Sequence, residues 1–238
     1  MKSLPIAIPL LALAMLAPSL QAQDVARDTA LVAAADSTPP TDTAPFRLMV
    51  SYDRPGLQVP HWQITVPLHG MAEYTGKPEK GSDPGQVLFR MSGTGRARLG
   101  TLMGRTHNLQ PCETHSKGLA NMGTKEVEYA AADGTPVRCT FNFTDNKPLS
   151  EALDYMLAIA GTVQAGLELD RLHRYDRLGL DPVMIRLTED AKTGHAVELG
   201  AIKPTLESLA TDVAVLERVR TRAQQLLDMV DQQDHGKQ

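Results

Sequence analysis

Residues Val137 to Tyr175 read V-R-C-T-F-N-F-T-D-N-K-P-L-S-E-A-L-D-Y-M-L-A-I-A-G-T-V-Q-A-G-L-E-L-D-R-L-H-R-Y, and the fold class follows from the change of period inside them. Val137, Cys139, Phe141 and Phe143 recur every second residue, the spacing of side chains on one face of a strand. After the polar turn Thr144–Pro148, apolar residues fall at Leu149, Leu153, Met156, Ala160, Val163 and Leu167, the three-four spacing of a helix. Asn146 or Lys147 with Pro148 marks its start. Text upstream is strand-like and text downstream is helical. The expectation is α+β: an N-terminal antiparallel sheet or small sandwich over 46–146, then a C-terminal four-helix segment over 147–238.

Working backwards from Val137, Glu126–Phe143 reads as a hairpin. Placing Val127, Tyr129 and Ala131 on one face with Val137, Cys139 and Phe141 requires an odd loop that includes Thr135. Glu126, Glu128 and Arg138 then point away from the core. Phe46, Leu48, Val50 and Tyr52 alternate with polar or smaller residues, as do Trp62, Ile64 and Val66, and Met71–Thr75 reads as a further strand. Val87, Phe89 and Met91 suggest one strand and Arg96–Leu99 another, joined by a three-residue loop at Gly93–Gly95. That register sets Arg90 opposite Arg98 with Arg96 beside them. Like charges across a ladder repel, and from Asp83 to Glu113 the chain carries Arg90, Arg96, Arg98 and Arg105 without an intervening acid. Arg90, Arg96 and Arg98 are therefore the candidate anion-binding residues, since guanidinium groups suit carboxylate, phosphate or sulfate.

Downstream of Tyr175, Gly179 ends the long helix, and Asp181-Pro182 starts a second that runs to Lys192. His195–Ala210 is expected as a third helix, kinked or split at Pro204. Thr211-Asp212 is expected to cap a fourth, with Leu216, Val219, Ala223, Leu226, Leu227 and Val230 in one stripe. Gly161 and Gly166 inside the long helix each cost about 1 kcal/mol relative to Ala, which suggests a close packing partner.

The N-terminus carries an export pattern: Lys2, an apolar run from Leu4 to Leu16, and small residues to Ala22. Residues 1–22 are expected to be a signal peptide and 23–45, rich in Ala, Thr, Asp and Pro, a disordered leader. The expected location is the periplasm or the cell exterior, with no transmembrane segment after signal removal. In that compartment Cys112 and Cys139 are expected to form a disulfide, contributing about 3–4 kcal/mol. His107, Cys112 and His115 do not have an established zinc spacing, so no metal is expected.

Net charge is −4 and aromatic content 4%, which gives little basis for base stacking or nucleic-acid binding. Residues 46–148 carry nine acids and twelve bases, and 149–238 carry fifteen acids and ten bases. No G-x-S-x-G, H-E-x-x-H, C-x-x-C or P-loop occurs, and no cofactor is expected. The leading expectation is an exported, non-catalytic binding or interaction protein whose partner is an anionic envelope component or an acidic protein surface. Two alternatives come from other classes. One is a carrier of apolar ligands between the sheet and the long helix. The other is a hydrolase using His61 or His69 with a nearby carboxylate.

Overall fold

A computed structural model describes residues 45–78, 85–110, 112, 123–132 and 134–235. The expected signal peptide and nearly all of the leader lie outside the described residues. The described part is α+β, an antiparallel sheet with helices. It belongs to one compact unit.

Six strands form a single sheet: β1 (Phe46–Asp53), β2 (His61–Val66), β3 (Ala72–Lys77), β4 (Gly85–Phe89), β5 (Thr124–Ala131) and β6 (Val137–Phe141), in the order β4-β3-β2-β1-β5-β6. Every neighbouring pair is antiparallel. The alternation in the sequence decides which face is covered. Phe46, Leu48, Val50 and Tyr52 of β1, and Trp62, Ile64 and Val66 of β2, are all buried. The β5–β6 register pairs Tyr129 with Val137 and Val127 with Cys139, as the odd loop requires, but Ala131 lies beyond this pairing and is exposed rather than buried. On the opposite face, where all three were expected, Arg138 lies 3.0 Å from Glu126 and 2.6 Å from Glu128. The Cys112–Cys139 disulfide is present.

The expected hairpin at Gly93–Gly95 does not form. Gly93–Gly104 is a helix, α1, so Arg90 and Arg98 are not cross-strand neighbours. Ser92 caps it, its hydroxyl accepting from the Gly95 amide at 3.0 Å. Leu99, Leu102 and Met103, spaced by three and four, bury against the sheet. Its four glycines weaken the helix, but Gly95 has a reason to lack a side chain. A Cβ there would run into the Glu198 carboxylate and the Tyr155 hydroxyl.

The long helix α2 runs Lys147–Tyr175, with the Asn146 side chain accepting from the Leu149 amide and Pro148 in the first turn. It belongs to two apolar clusters. Leu149 to Val163 pack with the sheet and α1. Leu169 and Leu172 pack with α3 (Leu180–Thr193), α4 (Lys203–Thr211) and α5 (Glu217–His235). Of the two glycines in α2, Gly166 has the expected close partner, since a Cβ there would strike Ile202; Gly161 faces open space.

The third expected helix starts late. His195–Glu198 is not helical, Leu199–Ile202 is a 3-10 turn, and α4 begins at Lys203 with Pro204 in its first turn, where proline fits rather than kinks. The cause lies at Glu198. Its backbone is left-handed (φ 54°) and its side chain is buried. The carboxylate accepts from the Ser92 amide, the Ser92 hydroxyl and the Tyr155 hydroxyl, each at 2.7 Å.

Two stability outcomes follow. Glu198→Ala leaves the Ser92 amide and Tyr155 hydroxyl without their acceptor and should cost about 3 kcal/mol in urea unfolding. The glycine pair should split in sign: Gly161→Ala gains up to about 1 kcal/mol, whereas Gly166→Ala loses stability through the Ile202 collision. Equal shifts for both would contradict this packing.

Candidate functional site

The Arg residues expected to share one face are used separately. Arg96 donates to the carbonyls of Pro67 (2.8 Å) and Leu68 (3.3 Å) and lies over the Phe46 ring. Burial lowers its pKa from the ordinary arginine value. Arg98 stacks on the Tyr155 ring at 4.8 Å, and Arg90 is exposed just beyond β4. The two candidate histidines are also apart. His61 opens β2 and sits 3.5 Å from Asp53, both exposed, while His69 lies past the other end of that six-residue strand, roughly 20 Å away at strand rise.

A cleft of about 260 Å³ lies beside the disulfide, lined by Thr106, His107, Gln110, Cys139, Asp145 and Asn146 among others. His107 and Leu109 on its rim have left-handed backbones (φ 52° and 60°). Its volume is below the usual range for ligand pockets, roughly 300–1,000 Å³. Between the sheet and α2, Leu48, Val50, Met103, Val127, Leu153 and Met156 leave no usable space. An apolar ligand there would require the core to part. Among the described residues no group of three or more His, Cys, Asp or Glu is placed to hold a metal.

The most distinctive surface was not anticipated. It lies where two helix connections meet. The first joins α2 to α3 through the 3-10 turn Arg177–Gly179; the Asp176 side chain accepts from the Gly179 amide and shapes that turn. The second joins α4 to α5 through residues 212–216. Asp212 ties the two together. One carboxylate oxygen accepts from the Ala214 amide at 2.8 Å; the other faces His173 Nε2 at 2.8 Å and Arg177 at 3.5 Å. Asp181, in the first turn of α3, holds Arg218 and Arg222 of α5, each at 2.8 Å.

This framework presents apolar side chains to solvent. Tyr175, Leu178 and Val213 are 77%, 77% and 85% exposed, more than any other large apolar residue described. Arg174 lies beside the Tyr175 ring, and its Nε donates to the Asp170 carbonyl. Residues 171–181 and 211–222 hold six of the ten bases in 149–238 but only four of its fifteen acids. Segment-wide counting averaged that contrast away. The signal was local: R-L-H-R-Y-D-R-L, an Arg-rich stretch with an aromatic and a leucine at a helix end.

Compared with known proteins, the chain matches no family model, no curated protein and no solved structure at a significant level. Among the described residues no helix is long and apolar enough to cross a membrane.

The Asp212 hub gives a pH signature. The hydrogen bond from His173, then that from the Ala214 amide, hold its carboxyl below the usual aspartate value. A depressed carboxylate pKa stabilises the fold above the unfolded pKa, and that contribution is lost as pH falls through the folded one. Asp212→Asn should therefore melt below wild type at neutral pH, and the gap should close as pH falls through the depressed pKa of the folded state. A gap of constant size from neutral to acid pH would show that the charge of Asp212 is not what holds the connections.

Proposed function

We propose that the protein is an exported, non-catalytic interaction protein of the cell envelope, working by surface contact at the end of the helical segment where α2 meets α3 and α4 meets α5. One observation carries the reading: Tyr175, Leu178 and Val213, the most exposed large apolar side chains described, share the end of the helices where arginine is concentrated. Exposed apolar groups rimmed by polar ones mark interaction sites on soluble proteins. Arginine and tyrosine are the residue types enriched where proteins make contact. In this reading the anionic contact expected of Arg90, Arg96 and Arg98 is made instead by the arginines of the bundle end.

Export is supported by the Met1–Ala22 pattern and is compatible with the Cys112–Cys139 disulfide, because such bonds persist in oxidising compartments. The test combines location with surface. Wild type should fractionate with the envelope, processed near Ala22 and with both thiols oxidised. A variant with Tyr175, Leu178 and Val213 all changed to Ser should melt within about 0.5 kcal/mol of wild type per site, as exposed positions do, yet lose its envelope association. An unprocessed chain retained inside the cell, or a Ser variant that associates normally, would overturn the reading.

A further inference from the structure

We propose that the partner at this end is an anionic lipid surface, an inference that rests on the contact site just described. The argument starts from shape. Leu178 sits in a 3-10 turn, Val213 in an open connection and Tyr175 in the last residue of a helix. They come from two separate connections held side by side by Asp212. Each is a protruding tip rather than the wall of a groove. A folded protein partner would need matching hollows for such tips. A bilayer interface deforms to accept them, and takes Tyr and Leu at the depth where apolar and wet layers meet.

Charge points the same way. Arg171, Arg174, Arg177, Arg218, Arg220 and Arg222 fall in the two chain segments that form this end, with Arg171 also 3.6 Å from Glu168, and guanidinium groups pair with phosphate in a planar, two-pronged manner. Three of the four acids at this end are occupied internally, while the fourth, Glu217, is exposed in the first turn of α5. Asp181 is taken by Arg218 and Arg222, Asp212 by His173 and Arg177, and Asp176 by the turn it caps. The rest of residues 149–238 carries four bases against eleven acids. The helical segment is thus polarised, and an anionic surface would attract the basic end while repelling the remainder. Approach is oriented before any apolar side chain inserts.

The test uses the mature chain from Gln23 with its disulfide intact, in flotation with vesicles of phosphatidylcholine alone or mixed with phosphatidylglycerol. Wild type should bind the mixed vesicles about tenfold tighter than the neutral ones, with added salt removing the difference. Arg171→Gln with Arg174→Gln should lose that preference, and the Tyr175, Leu178 and Val213 to Ser variant should lose binding to both. A Leu178→Trp variant should shift its emission to the blue on anionic vesicles, an effect that the buried Trp62 does not produce. Melting curves establish that each variant is folded. Equal binding to both vesicle types, or no blue shift, overturns the lipid assignment. If vesicles are ignored while the Ser variant still loses envelope association, the contact site stands with a protein or polymer partner and the lipid inference falls. If neither vesicles nor envelope association respond, both fall.

Discussion

The architecture depends on where one buried carboxylate finds its donors. Glu198 is 6% exposed, and an ionised group at that depth is tolerated only with several hydrogen bonds. It obtains three, from Ser92 at the start of α1 and Tyr155 in the middle of α2. Burial, then the adjacent carboxylate, raise the pKa of the Tyr155 phenol, so it remains a donor. The tie joins the end of the sheet meander, the long helix and the α3–α4 connection, which are far apart in sequence. Its geometry is exacting enough to force a left-handed backbone on Glu198 and to leave no room for a side chain at Gly95. Strain of this kind persists only where the surroundings over-determine it.

From that tie the role of α2 follows. At 1.5 Å per residue, its 29 residues span roughly 43 Å, longer than one face of the sheet requires. Its first half closes the sheet's core, and its second half is the wall against which α3, α4 and α5 pack. Gly166 lets the 3-10 turn at Ile202 approach α2 closely, which seats the α3–α4 connection, Glu198 included, against α2. The opposite end of the helices is thereby carried away from the sheet. Arg174, Tyr175 and Leu178 are exposed because α2 outruns what it covers.

These particulars explain which parts of the fold were legible in the sequence. Strands β1, β2, β5 and β6 could be read because one face is buried and the other is not, so each alternation had one solution. Helices α2, α3 and α5 carried enough apolar residues at helical spacing to be placed within a few positions. Gly93–Gly104 was misread because its local text argues for a turn. Two glycines and an Arg-Ala-Arg alternation outweigh three buried residues at the far end of the helix. The deciding partner, Glu198, lies 106 positions from Ser92. The same residue ended the expectation of a helix from His195. The bundle-end site was hidden for a different reason. Its pieces, Arg171–Leu178 and Asp212–Val213, look like ordinary helix ends separately, and only the Asp212 bridge brings them together.

The relative weights of charge and apolar contact at that end are set by magnitude. Six arginines and four acids leave a net charge of only two, and each basic residue near an anionic surface contributes about 1 kcal/mol. Burying a Leu or Val side chain is worth about 1.5–3 kcal/mol, so three apolar tips together outweigh the charge. On the proposed lipid contact, affinity would therefore come mainly from Tyr175, Leu178 and Val213, while charge selects the surface and the orientation. That division accounts for the two acids held inside the site. Asp181 and Asp212 reduce the net attraction, but they fix the two connections side by side, and apolar tips insert together only when their spacing is fixed. The structure gives up part of the weaker term to keep the geometry of the stronger one.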